Sequence, residues 1–320
     1  MEGQLYYPVE ATASTTTCFV NLNKDLSGLN AKNIEHTTRD GHVKGFMCNI
    51  AFVGASHQVF GVITAPNTWK MRNAFRKFHA YRELMFANAG VSKDERGRYG
   101  HTIRPFLNHA HYDAFMKITS NKILAPHSDL GVYDQGEWTH SKFASVPLYE
   151  TPEDPADTPV IMGDSSLYVT DEWNVTILDQ NQITSGQDED FTSGTYDTVG
   201  MIHSYNLDRQ DVITPTTAGE TIQGPENPLA ALIASGNQAA GDILDITTEQ
   251  ELEAPPYDTL DGGDSVEGIR AQVAKVPTTL GIVRTNVFVP AGILELNVAG
   301  AGDFDMYIDV IGEVLCKDLA

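Results

Sequence analysis

The sequence is poor in cysteine, poor in basic side chains, and free of long apolar runs. Its three cysteines, Cys18, Cys48 and Cys316, lie far apart, form no CxxC pair and are odd in number. That pattern argues against a disulfide framework or a thiolate zinc site and predicts three small core hydrophobes. No stretch approaches the roughly 18 apolar residues of a membrane helix. The opening MEGQLYYPVE has neither the basic nor the apolar region of a secretory signal. The expectation is a chain made in a cytoplasm with no signal peptide and no membrane partner. GxGxxG, Walker A, HExxH and GxSxG motifs are all missing. The chain is therefore expected to be no enzyme and to need no organic cofactor.

Basic residues number 21 against 43 acidic ones, a net charge of −22. A field of that sign opposes nonspecific attraction to nucleic acid. The charge is unevenly spread. Residues 68–104 hold nine cations (Lys70, Arg72, Arg76, Lys77, Arg82, Lys93, Arg96, Arg98 and Arg104) against Glu83, Asp94 and Glu95, a local balance of +6 that leaves −28 elsewhere. Two electrostatic poles suit a shell with one face toward a polyanion, although a solvated helix face carries the same signature.

Hydrophobic residues make up 41% of the 320 positions, enough for a large core. Strand signals dominate. Phe46, Cys48, Ile50 and Phe52 alternate within 43–53, and HQVFGVIT (57–64) follows a Gly-Ala-Ser turn, which predicts a hairpin. Further strands are predicted over 137–146, 166–179, 199–205, 281–290 and 293–298. The last, 303–316, sets Phe304, Met306, Ile308, Val310, Gly312 and Val314 against Asp305, Tyr307, Asp309, Ile311 and Glu313. Met71, Ala74, Phe75, Phe78, Tyr81 and Met85 form one stripe at helical spacing, so a helix is predicted over about 68–89, opened by Asn67 or Thr68 and closed by Gly90. A second, short helix is predicted from Asn227, with Pro228 in its first turn. Residues 242–266 form an acidic excursion. With no repeating βαβ pattern, the plan is all-β and antiparallel: a sandwich, jelly roll or barrel with two helical insertions.

The segments RYGHTIRPFLNHAH (98–111), VGMIHSY (199–205), NPLAALI through APPYD (227–258) and FDMYIDVIGEV (304–314) resemble capsid proteins of small circular single-stranded DNA viruses. The resemblance implies one jelly-roll domain over 1–320 with long loops, a double jelly roll being the alternative. It implies an icosahedral shell of many copies of the chain around single-stranded DNA, a place in the virion and a host receptor as a further partner. Many such proteins begin with an Arg/Lys-rich arm and this chain does not, so genome contact falls to the folded domain. Lys70, Arg72, Arg76, Lys77, Arg96, Arg98 and Arg104 are the candidates, since cations meet phosphates without reading sequence.

Other chemistry has thinner support. His109 and His111 would share a face on a strand, beside His101 and Asp113, in a pattern compatible with metal ligation. Asp188, Glu189 and Asp190, or Asp258, Asp261 and Asp264, offer hard oxygen ligands for a structural calcium, with spacing unlike an EF-hand loop. Trp138, Trp173 and Tyr257 could stack on a glycan if exposed. With carboxylates such as Asp171 and Glu172, or Asp188 and Asp190, they define the rival reading, a carbohydrate-binding or carbohydrate-active β-sandwich. A phage tail or spike subunit is a third.

Overall fold

The computed structural model describes residues 3–11, 13–54, 57–88, 90–92, 95–97, 100, 102–117, 122–128, 131–132, 138–144, 172–179, 182–183, 196–210, 269–276 and 281–319. The predicted helix at Asn227, the acidic excursion, Lys93, Arg98, His101, Asp171, the acidic run 188–190, Tyr257, Asp258, Asp261 and Asp264 lie outside them.

In chain order the elements are β1 (Gln4–Val9), β2 (Thr15–Asn21), α1 (Leu22–Asn30), β3 (Lys44–Gly54), β4 (Gln58–Thr64), α2 (Trp69–Asn88), α3 (His109–Lys117), β5 (Lys122–Ile123), β6 (His127–Ser128), β7 (Gly131–Val132), β8 (Lys142–Ala144), β9 (Glu172–Thr176), β10 (Gln182–Ile183), β11 (Tyr196–Gly200), α4 (Met201–Gln210), β12 (Ile269–Val276), β13 (Gly281–Pro290), β14 (Ile293–Ala299) and β15 (Phe304–Leu315). The described chain is mostly β, with antiparallel sheets and few helices. No described helix is long and apolar enough to cross a membrane.

Two sheets share one core. The first runs β1-β15-β3-β13 and the second β12-β4-β14-β2-β5. Every neighbouring pair is antiparallel except β2 with β5. The alternation in the sequence sets the register. Leu5, Ile308 and Ile50 occupy one rung across β1, β15 and β3, and Tyr7, Met306 and Phe52 occupy another. All six are buried. A slip of one residue would turn these faces to water. Across the gap, Phe52 of the first sheet stacks on Phe60 of the second at 4.3 Å, with Phe304 edge-on to Phe60 at 4.8 Å. In β15 the register shifts between Val310 and Gly312. The strict alternation therefore ends at Val310, and Gly312 and Val314 are only half-buried.

The predicted hairpin over 43–64 does not form. β3 pairs with β13 and β15, whereas β4 pairs with β12 and β14. The chain thus passes from the first sheet at Gly54 to the second at Gln58. Leaving β2, the chain coils into α1 because the Asn21 side chain caps it, accepting from Lys24 N–H. The helix ends at Ala31, whose φ is 48°.

Between β4 and β12 lies a layer with a second core. Its sheet runs β10-β11-β9-β8 and includes the parallel pair β11–β9. The predicted stripe of α2 packs here: Met71, Ala74, Phe75 and Phe78 are buried with Val175, Ile177, Met201 and Ile202. The Thr68 hydroxyl accepts from Met71 N–H and opens the helix. The predicted strand over 199–205 is instead the end of β11 followed by α4. At Gly200 a Cβ would meet the Asp179 carbonyl oxygen at 1.9 Å, so only glycine permits the close approach at which strand becomes helix.

Candidate functional site

The basic window does not form one outward face. Arg104 is the clearest correction. Only 4% exposed, it bonds both carboxylate oxygens of Glu35, at 3.0 and 2.7 Å, and Asn33 at 2.8 Å. The ring of Trp138 lies 4.0 Å from its guanidinium carbon. Burial pushes the Glu35 carboxyl up, but the Arg104 hydrogen bond and charge, with the Thr102 hydroxyl, outweigh it and hold the group below its usual range. This pair clamps the loop after α1 to the segment after α2.

The other candidates divide between internal and surface positions. Lys70 is buried beside the Trp69 ring. Arg72 donates to the carbonyl and side chain of Asn67, both at 3.2 Å. Lys77 donates to the Ser204 carbonyl at 2.9 Å and ties α2 to α4. Arg96 pairs with Glu83 and lies over Phe86. Arg76 alone of the seven is exposed among the described residues. Most of these cations fasten the inserted layer, which a count of charges could not reveal.

The histidine reading also changes. His109 and His111 start α3, so an i, i+2 spacing sends them to different sides. His109 faces Thr198 at 3.2 Å and Asp113 at 3.6 Å. His111 stacks on Phe19 at 4.9 Å, and its Nδ1 accepts from Leu107 N–H, so the ring is neutral. Among the described residues no cluster of His, Cys, Asp or Glu is arranged to hold a metal. His36, His111 and His140 are all buried. Burial pulls His36 down to about 4 and His111 to about 3, and holds His140 well below its ordinary value. Burial also pushes the thiols of Cys18, Cys48 and Cys316 up, to about 11, 12 and 11, so they are unreactive core groups. Trp173, a glycan candidate, is packed between Phe143 and Phe78 instead.

Beside the Glu35–Arg104 clamp the charges converge differently. Arg82, from the middle of α2, donates Nη1 to the Thr102 carbonyl and, at 3.1 Å, to Ser141 Oγ. Its guanidinium lies over Phe86 and Phe143. Ser141 Oγ also accepts from Arg104 N–H at 2.9 Å. Two bonds thus reach that oxygen, leaving its own proton to donate. Arg82, Arg104, Thr139, His140, Ser141 and Lys142 line a cavity of about 430 Å³, and among the described residues its lining contains no carboxylate. Burial lowers the Arg82 pKa, and the charge of Arg104 lowers it further. The sequence reading missed Thr139–Lys142, because nothing local marks four residues that meet an arginine some 60 positions upstream.

No family model, curated protein or solved structure matches the chain.

Proposed function

We propose that this chain is a shell-forming capsid subunit built on a single jelly roll that encloses single-stranded DNA. The observation that carries the reading is the nesting of the strand pairs. Leaving aside the two-residue β5 at the edge of the second sheet, the two main sheets hold eight strands, in which β1 pairs with β15, β2 with β14, β3 with β13 and β4 with β12. First pairs with last, second with seventh, third with sixth and fourth with fifth. That is the pattern of one long hairpin rolled into two four-stranded sheets, an architecture of viral shells and also of lectins.

Three further features favour the shell. The inserted segment lies between the fourth and fifth strands, β4 and β12, and leaves their pairing intact. The outer side of the first sheet keeps Met47, Tyr307 and Ile311 exposed, the last at 70%. Large apolar groups left bare on a rigid face suit contact with a second copy. A net charge of −22 limits the attraction of DNA to local patches, of which Arg76 on α2 is one. Host-receptor contact and a structural calcium remain parts of this proposal without a site among the described residues.

Size and shape test the reading. The purified chain is expected to form closed particles or regular capsomers in negative-stain images. Ile311→Glu should leave a folded subunit that no longer assembles. A wild-type chain that stays monomeric at high concentration, with salt and calcium varied, refutes it.

A further inference from the structure

We propose that the cavity between α2 and the start of β8 is a phosphate-binding site, which accepts a nucleotide phosphate or one phosphate of a nucleic-acid strand. It does not depend on shell assembly. Three cations, Arg82, Arg104 and Lys142, line the cavity. Glu35 pairs with Arg104, and its charge, like that of Glu83, also acts on Arg82. Among the described residues no carboxylate hydrogen-bonds to Arg82, and the described lining of the cavity carries none.

The donors suit a tetrahedral oxyanion. Among the described residues Arg82 engages only Nη1, which leaves the rest of its fork to donate. The spare proton of Ser141 and the exposed hydroxyl of Thr139 add two more donors. The buried His140 ring, stacked on Phe106 at 3.8 Å, forms part of the cavity wall. At about 430 Å³ the space exceeds a bare phosphate and suits a nucleotide. The aromatic faces behind Arg82 and Arg104 keep both guanidinium planes fixed.

The closing experiment uses the full chain, as wild type, as Arg82→Gln, and as the pair Thr139→Ala with Lys142→Gln. The paired changes are at exposed positions and spare the Ser141 bonds. Lys32→Gln, also exposed, is the control. Inorganic phosphate and thymidine 5′-monophosphate are titrated with melting temperature as readout, and labelled oligo-dT by fluorescence anisotropy. Phosphate should raise the melting temperature of the wild type and the control, and the paired variant should lose most of that rise. A tenfold or greater loss of oligo-dT affinity in the paired variant identifies a strand phosphate as the occupant. Phosphate-dependent stabilisation with unchanged oligo-dT binding supports the same site for a free nucleotide. Two results overturn the proposal. One is no phosphate-dependent stabilisation of the wild type. The other is displacement of phosphate by poly-glutamate at equal charge concentration, which would mark the cavity as a dock for an acidic segment of another copy.

Discussion

Lowering the pH from about 7.5 to about 5 should destabilise this protein steeply, because three histidines are buried in the neutral state. A histidine whose folded pKa lies below its unfolded value keeps its full contribution above the unfolded pKa and loses it as pH falls toward the folded one. The window for His36 runs from 6.5 down to about 4, and for His111 from 6.5 down to about 3. At a pH of about 5, each ring kept neutral costs about 2 kcal/mol relative to an unfolded chain that is free to protonate. His140 acts in the same direction. Two such terms, about 4 kcal/mol together, are a large fraction of the 5–15 kcal/mol that typically holds a domain folded. Glu35 does not share this window, since its stabilisation is lost only as pH falls below about 4.5. Asp179 and Glu295, raised by burial, oppose the trend modestly, because acid favours their folded, protonated forms. The assay is the urea midpoint, followed by tryptophan fluorescence across the pH range. His36→Gln keeps a donor for the Ala291 carbonyl but cannot titrate. It should remove one proton from the slope, about 1.4 kcal/mol per pH unit. An unchanged wild-type midpoint between the two pH values, or a full slope in His36→Gln, refutes the reasoning.

Ile308→Asp places a charge on the buried rung between β1 and β3 and should cost several kcal/mol, seen as collapse of soluble yield. Tyr307→Asp, on the outer side where the ring stacks on Tyr6 at 4.9 Å, should lower the urea midpoint by only about 1 kcal/mol; equal effects would sink the face assignment. Arg104→Met should destabilise by about 3–5 kcal/mol by stranding Glu35 in the interior, and adding Glu35→Met should recover most of the loss in a double-mutant cycle.

Periodicity revealed what repeats along one element and missed what depends on distant partners. The alternation in β3 and β15 and the stripe on α2 were legible because burial on one side forces a period of two or 3.6. α1 was missed because its nine residues carry only three apolar side chains, Leu22, Leu26 and Leu29, among polar ones, with Gly28 inside. α4 was hidden because Val199-Gly200-Met201-Ile202 reads as a strand until the chain turns at Gly200. The Gly-Ala-Ser signal reads as a turn, but a turn signal cannot say whether its flanks pair or separate into different sheets. The candidate site suffered most. Glu35 is 69 positions from Arg104, so no local pattern could mark that arginine as internal. Arg82, left out of the candidate set, meets Thr102 and Ser141, residues that only folding brings near.

The nested pairing also bears on how the chain is made. Every antiparallel partner of β1, β2, β3 and β4 lies within residues 269–315. A ribosome adding 5–20 residues per second needs roughly 10–40 s to cross the 65–268 stretch. Throughout that interval four finished strands have exposed edges and no antiparallel partner to cover them. Vectorial folding cannot complete either main sheet early, so a prematurely terminated chain should go to chaperones or proteases. Full-length synthesis becomes a checkpoint written into the topology.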